Sequence, residues 1–313
     1  MKEIAGQLQR SLEAGKASML CAVVGGSGSA PRTRDAFMLT GESGRICGTI
    51  GGGMMEFKTS EHAAELLLGT HGELAHYVLT NENAAGFGMV CGGSVDILYS
   101  YIAADEKNIA SVKALMEALE THTPCFLLLP YDGNGMRVSD AMCPTKADSN
   151  YVYEIRNDSI VYVFGGGHLS SELVPLLAHL NFRVVVTDDR AEYSTKELFP
   201  EAELVHTMDF DALVGRFDIR ETDYIIAVTR GHMGDLEVER FALSTTAHYI
   251  GVVGSKSKIA AVNKRLIAMG FSQDDLARVT TPIGLAIKSE TPAEIAVSIA
   301  AQLILDRATY NKA

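Results

Sequence analysis

Residues 159–190, SIVYVFGGGHLSSELVPLLAHLNFRVVVTDDR, decide how the second half of this chain is read. The apolar run 160–164 (IVYVF) enters Gly165-Gly166-Gly167-His168-Leu169-Ser170, a helical segment follows, and a second apolar run, 183–187, closes on Asp188. Each part has a physical task. The first glycine allows a tight turn and the second lets the backbone approach a pyrophosphate. The helix start then offers free N–H groups and the positive end of its dipole. Ser170 stands where a third, small residue packs helix on strand, a mild departure. Asp188, 21 residues past Gly167, ends the second strand, where a carboxylate binds a ribose hydroxyl. The plainer alternative is a glycine turn that only packs a helix on a sheet.

Reading outward, further apolar runs at 203–206, 224–229 and 249–253 alternate with helical segments. Near-continuous apolar strands separated by helices predict a parallel sheet covered on both faces. The fold class is therefore α/β, with a Rossmann-like parallel sheet domain in the C-terminal half. Ligands of such sheets sit at the carboxyl ends of the strands. There the chain places Arg230-Gly231-His232 and Gly254-Ser255-Lys256-Ser257-Lys258. Gly165, Gly166, Gly167, His168, Asp188, Arg230, His232 and Ser255 are the candidate cofactor contacts, although Ser255 also suits a helix cap and the two lysines suit a solvated face. Thr291, Pro292 and Glu294 form a capping box that starts the last helix.

The N-terminal half mixes elements without a βαβ rhythm and reads as α+β. Helices are expected over 2–15, 55–68 and 106–120, strands over 17–24, 36–40, 45–50, 73–79 and 95–102, and a hairpin over 125–140 around DGNG. Residues 144–158, PTKADSNYVYEIRND, are polar and read as a linker, which divides the chain into domains 1–148 and 149–313. Three glycine clusters mark this half: Gly25-Gly26-Ser27-Gly28 leading to Arg32, Gly48-Thr49-Ile50-Gly51-Gly52-Gly53 leading to Glu56, and Gly86-Phe87-Gly88 leading to Cys91-Gly92-Gly93. Such glycines turn hairpin corners or bring backbone N–H groups against a ligand. Gly51, Gly52, Gly53, Gly92, Gly93 and Arg32 are the candidate contacts. Cys91, flanked by glycine, is a candidate nucleophile or metal ligand if its thiol is acidified. Glu56 is a candidate catalytic acid or simply a first-turn helix acid. Cys21, within an apolar strand, reads as core.

Composition narrows the partners. The formal net charge of −12 over 313 residues disfavours nucleic acid and anionic membranes. No run of about 18 apolar residues and no basic-then-apolar leader is seen. Five cysteines without a CxxC or Cys/His pattern argue against a disulfide framework or structural zinc, and the reducing cytoplasm is the expected location.

The segments GSGSAPRTRDAFML, GTIGGGMMEF, GMVCGGSVDIL, VFGGGHLSSELVPLL, VVVTDDR, AVTRGHMGDLEV, YIGVVGSKSK and PIGLAIKSETPAEIAVSIAAQLI, running from residue 27 to 304, resemble the xanthine dehydrogenase accessory family of XdhC/CoxI type. The resemblance implies an N-terminal XdhC-type domain and a C-terminal Rossmann domain. It also implies a maturation role: binding the molybdenum cofactor, protecting it and passing it to a molybdenum hydroxylase, with a cysteine desulfurase as a further partner; separately, a homo-oligomer, a dimer, is expected. The family pattern usually places a cysteine two residues before the glutamate, where this chain has Met54. A thioether cannot replace a thiolate as nucleophile or strong molybdenum ligand, whereas Cys91 is retained.

Three functions compete. The first is a molybdenum cofactor-binding chaperone without turnover of its own. The alternative is a Rossmann oxidoreductase using NAD(P), favoured by the glycine turn and Asp188 but lacking a convincing hydride-transfer site. The third is a scaffolding protein that keeps the fold without the ligand. Fold alone does not choose between them.

Overall fold

The computed structural model describes residues 1–28, 35–79, 93–140, 149–155 and 159–310. The chain divides into two compact units, Met1–Asn157 and Asp158–Ala313.

The first unit opens with helix α1 (Lys2–Glu13), whose Ile4, Leu8 and Leu12 form one buried face. Strands β1 (Ser18–Gly28), β2 (Ala36–Gly41) and β3 (Gly44–Gly48) follow, then α2 (Gly53–Gly69), β4 (Glu73–Leu79) and β5 (Gly93–Ile102). They form an antiparallel sheet of order β3-β2-β1-β5-β4. Successive side chains of a strand point to opposite faces, so β1 supplies two cores. Met19, Cys21 and Val23 meet Met55, Ala63 and Leu66 of α2. Leu20, Ala22 and Val24 meet α1, Val112 and Leu115 of α3 (Glu106–Thr121), and Leu127 and Leu129 of β6 (Cys125–Pro130).

A second, three-stranded sheet has the order β7-β6-β8, with β7 at Arg137–Ser139 and β8 at Asn150–Ile155. Strand β8 corrects the sequence reading. It lies inside the stretch expected to be linker, yet it pairs antiparallel with β6 from Cys125↔Ile155 to Pro130↔Asn150 and buries Tyr151 and Ile155. The polar flanks of this stretch hid a strand whose alternate residues reach the core. The first unit accordingly runs to Asn157 rather than 148.

The second unit is α/β. Strands β9 (Ile160–Phe164), β10 (Arg183–Asp188), β11 (Leu204–Thr207), β12 (Tyr224–Ala227), β13 (Tyr249–Val252) and β14 (Val279–Thr280) pair parallel in the order β11-β10-β9-β12-β13-β14. Helix α4 (His168–His179) and the last helix cover one face through Leu173, Val174, Leu177, Ile299 and Leu303. Helices α5 (Gly231–Leu243) and α6 (Lys256–Ala268) cover the other through Leu236, Val238, Phe241, Val262 and Leu266. The short α7 (Gln273–Ala277) leads into β14, a strand of two residues too brief to leave a hydrophobic pattern. The last helix, α8 (Pro292–Tyr310), starts as its capping box predicts. The Glu294 N–H donates to Thr291 Oγ1 at 3.3 Å and the Thr291 N–H donates to Glu294 Oε2 at 3.0 Å. Among the described residues no helix is long and apolar enough to cross a membrane.

The register of this sheet leans on one buried acid. Asp223, fully buried, accepts from the Ile160 N–H (2.9 Å), the Arg220 N–H (2.9 Å) and the Arg220 guanidinium (2.6 Å), which fixes the start of β12 against the start of β9. Asp223→Ala removes the shared acceptor of two N–H groups and of the Arg220 guanidinium. It is expected to cost about 2–4 kcal/mol, read as a lowered urea midpoint of the full chain at unchanged m-value.

Candidate functional site

Strand order reverses between β9 and β12, the place where sheets of this kind receive a ligand at the carboxyl ends of their strands. Gly165, Gly166 and Gly167 follow β9 there, and Arg230 with Gly231 follows β12. The three glycines have separate reasons to be glycine. Gly165 adopts φ +113°, and a Cβ there would overlap the Val228 carbonyl, so it lets the turns after β9 and β12 touch. A Cβ on Gly166 would overlap the Tyr193 carbonyl and press on Phe199. The bare face of Gly166, expected to admit a pyrophosphate, is thus covered by its own chain. Gly167, the N-cap of α4, has nothing within 4 Å of a Cβ position, so no neighbour in the fold demands a glycine there. Ser170 is buried and donates to the Gly165 carbonyl, which holds turn to helix.

Asp188, expected to face a ribose hydroxyl, faces the chain itself. It is 2% exposed. Oδ2 accepts from the Gly166 N–H at 2.7 Å and from Arg190 Nη2 at 3.1 Å. Oδ1 accepts from the Arg190 N–H at 3.0 Å and from Arg190 Nε at 2.9 Å. Burial acts to raise its pKa, but the Arg190 guanidinium and the two N–H donors outweigh it and hold the carboxyl below the usual range. Burial and the neighbouring Asp188 carboxylate push Asp189 the other way, upward, against the pull of Arg230 and Arg190.

His168 and Arg230 are exposed at the starts of α4 and α5. His232 occupies the first turn of α5, and its side chain lies outside the described set. Ser255 caps α6, accepting from the Lys258 N–H at 3.4 Å. Lys258 pairs with Asp235, which is fully buried and also accepts from Thr229 Oγ1. That pair ties α6 to α5, so Lys258 is neither a ligand contact nor merely solvated.

In the first unit, the described parts of the glycine clusters converge. Gly25 and Gly28 pair with Asp96 and Gly93, and the turn after β3 joins the sheet at the same end, where the Thr49 N–H donates to the Phe37 carbonyl. Gly51, Gly52 and Gly53 take φ values of 134°, 78° and 65°, left-handed backbone that favours glycine. Neither Gly52 nor Gly53 has an atom within 4 Å of a Cβ position. Glu56 holds this turn. Its Oε2 accepts from Thr49 Oγ1, the Ile50 N–H (3.3 Å) and the Gly52 N–H (3.1 Å), and its Oε1 accepts from Arg45 Nη1 (3.1 Å). Four donors on one carboxylate make Glu56 a clamp for the tri-glycine turn rather than a free acid or base.

Arg32, Cys91 and Gly92 lie outside the described residues, while Gly93 begins β5 beside Gly28. The three described cysteines, Cys21, Cys47 and Cys125, are buried, and burial raises each thiol's pKa. Burial therefore favours the neutral thiol in all three. Met54 is 43% exposed beside the tri-glycine turn.

Two constellations escaped sequence reasoning. His76 and Asp96 pair across β4 and β5, next to the Ser27–Ser94 hydroxyl pair at 3.0 Å. Arg190 turned back on Asp188 is the other, and its signal was only the adjacency of DDR. Cross-strand partners 20 residues apart leave no local pattern.

The XdhC Rossmann domain model matches residues 161–303, and the XdhC and CoxI family model matches residues 11–78. The chain belongs to the XdhC and CoxI family. Over 96% of its length it is 26% identical to a probable xanthine dehydrogenase subunit of Bacillus subtilis (strain 168), 96% of which is covered. It is 22% identical to the molybdenum cofactor insertion chaperone PaoD of Escherichia coli (strain K12), over 94% of this chain and 84% of that one. A crystal structure of a xanthine dehydrogenase from Bacillus halodurans superposes with a TM-score of 0.80 at 23% identity, covering 97% of this chain and 96% of that one, and establishes the shared fold. In this XdhC and CoxI chain the second-unit turn is fixed by Asp188 and the first-unit turn by Glu56.

The different duties of neighbouring glycines are separable. Gly166→Ala is expected to lose about 1–3 kcal/mol through overlap with Tyr193. Gly167→Val should stay within about 1 kcal/mol of wild type and keep its circular dichroism spectrum, while losing any ligand whose phosphate rests on α4; calorimetry with that ligand checks the second half. Glu56→Ala should leave the fold intact at a cost of about 1–3 kcal/mol and speed hydrogen exchange selectively at the Ile50 and Gly52 amides.

Proposed function

We propose that this protein binds the molybdenum cofactor, shields it, and passes it to a xanthine dehydrogenase-type molybdenum hydroxylase during that enzyme's maturation. The observation that carries the reading is the tri-glycine turn at the start of α2, held by Glu56 at the end of the sheet where Gly28 of β1 pairs with Gly93 of β5. A pterin phosphate is an anion. A helix N-terminus behind a glycine backbone suits such a group, and Arg45, paired with Glu56, offsets that carboxylate's charge beside it. The 17-residue α2 supplies the dipole, and Gly52 and Gly53 leave the space. The names carried by relatives, one a molybdenum cofactor insertion chaperone and one a xanthine dehydrogenase subunit, support a role in maturing such an enzyme.

Molybdenum enters this scheme as cargo. No group of three or more His, Cys, Asp or Glu side chains that could hold a metal occurs among the described residues. Met54 offers no thiolate, so the thiol assigned to the cargo is Cys91. The reading extends to a cytoplasmic homodimer that also meets a cysteine desulfurase. The competing reading, an NAD(P)-dependent oxidoreductase, draws support from the Rossmann unit but meets an acid, Asp188, that its own chain already engages.

Cys91→Ser changes volume little and removes the soft donor. It is expected to lower bound molybdenum and activation of the client apo-enzyme by about tenfold or more, at an unchanged melting temperature. Full activation by the serine variant, together with slow labelling of Cys91 by a thiol reagent in the folded apo-protein, would reduce the cysteine to packing. Met54→Cys should raise molybdenum retention if positions 54 and 91 serve one pocket.

A further inference from the structure

We infer that Arg190 is a resident plug in the Rossmann unit: it stands where a ribose diol would meet Asp188, and so turns NAD-type dinucleotides and other ribonucleotides away from the turn after β9. A ribose-reading carboxylate must offer free lone pairs to the 2′- and 3′-hydroxyls. Asp188 has none to offer. Each of its oxygens already accepts two hydrogen bonds, and three of the four donors belong to Arg190. The pairing is bidentate and charge-assisted, the strongest form available to a guanidinium.

The plug is packed as well as bonded. The Arg190 guanidinium lies 3.7 Å from the centroid of the Tyr193 ring, and the arginine side chain is 18% exposed. The Tyr193 carbonyl in turn covers the bare face of Gly166. Arginine, tyrosine and glycine therefore hold one another in place over the position that a dinucleotide would use. A ribose could enter only after Arg190 swings out, stripping a buried carboxylate of its cation. The apparent affinity for a ribonucleotide falls by the fraction of molecules in that open state.

The plug belongs to the second unit and does not depend on the cargo assigned above, because its readout is nucleotide binding and not molybdenum. The full chain, Arg190→Ala and Arg190→Met are titrated with NADH by nicotinamide fluorescence and with AMP by calorimetry. Arg190→Met keeps an apolar stem against Tyr193 while removing every side-chain donor, so it serves if the alanine variant unfolds. Removing the plug is expected to tighten both ligands at least about tenfold over wild type. Adding Asp188→Asn to the folded variant should abolish the gain, because the freed carboxylate is what reads the ribose. The inference is overturned if wild type binds NADH as tightly as the plug-free variant, if a folded plug-free variant gains nothing, or if the gain survives Asp188→Asn.

Discussion

The carboxylate of Asp188 gathers the turns at the carboxyl end of the second unit's sheet around itself. Its hydrogen bond from the Gly166 N–H sets the path of the chain between β9 and α4, and its bonds from Arg190 fold the segment after β10 back over that turn. Tyr193 follows Arg190 and closes on Gly166, which has no side chain to resist it. A buried anion is tolerable only when its lone pairs are filled, and here the filling groups are the same ones that shape the turn. Charge satisfaction and loop geometry are one event.

Glu56 plays the corresponding part in the first unit by another route. It reaches back from the first turn of α2 and collects donors from residues 45 to 52, so that three consecutive glycines hold left-handed backbone without a core beneath them. Entropy opposes ordering such a segment, and four donors on one carboxylate offset it. In both units an acid that sequence logic assigns to a ligand or to chemistry is spent on preparing the backbone.

The second unit was legible because its signals are local. The glycine turn follows its strand directly, and the apolar runs and the Thr291–Glu294 capping box lie within a few residues of what they determine. Strand β8 was not legible, because its polar neighbours masked an alternation that has meaning only once β6 is beside it. The ends of the candidate site were equally obscure. Position alone marked Asp188, while the guanidinium that fills it, the His76–Asp96 pair across β4 and β5, and the Lys258–Asp235 tie between helices come from tertiary pairing.

The tri-glycine turn and its neighbour differ in how freely they can change. Left-handed backbone at residues 51–53 penalises any side chain, and Glu56 cannot leave without loosening four donors. Met54 stands between them, 43% exposed, while the adjacent Met55 carries the core contact at 3% exposure. Position 54 is therefore released from the architecture. A side chain there can be exchanged without endangering the fold, so the rim of the turn is free to vary while the backbone beneath it is not.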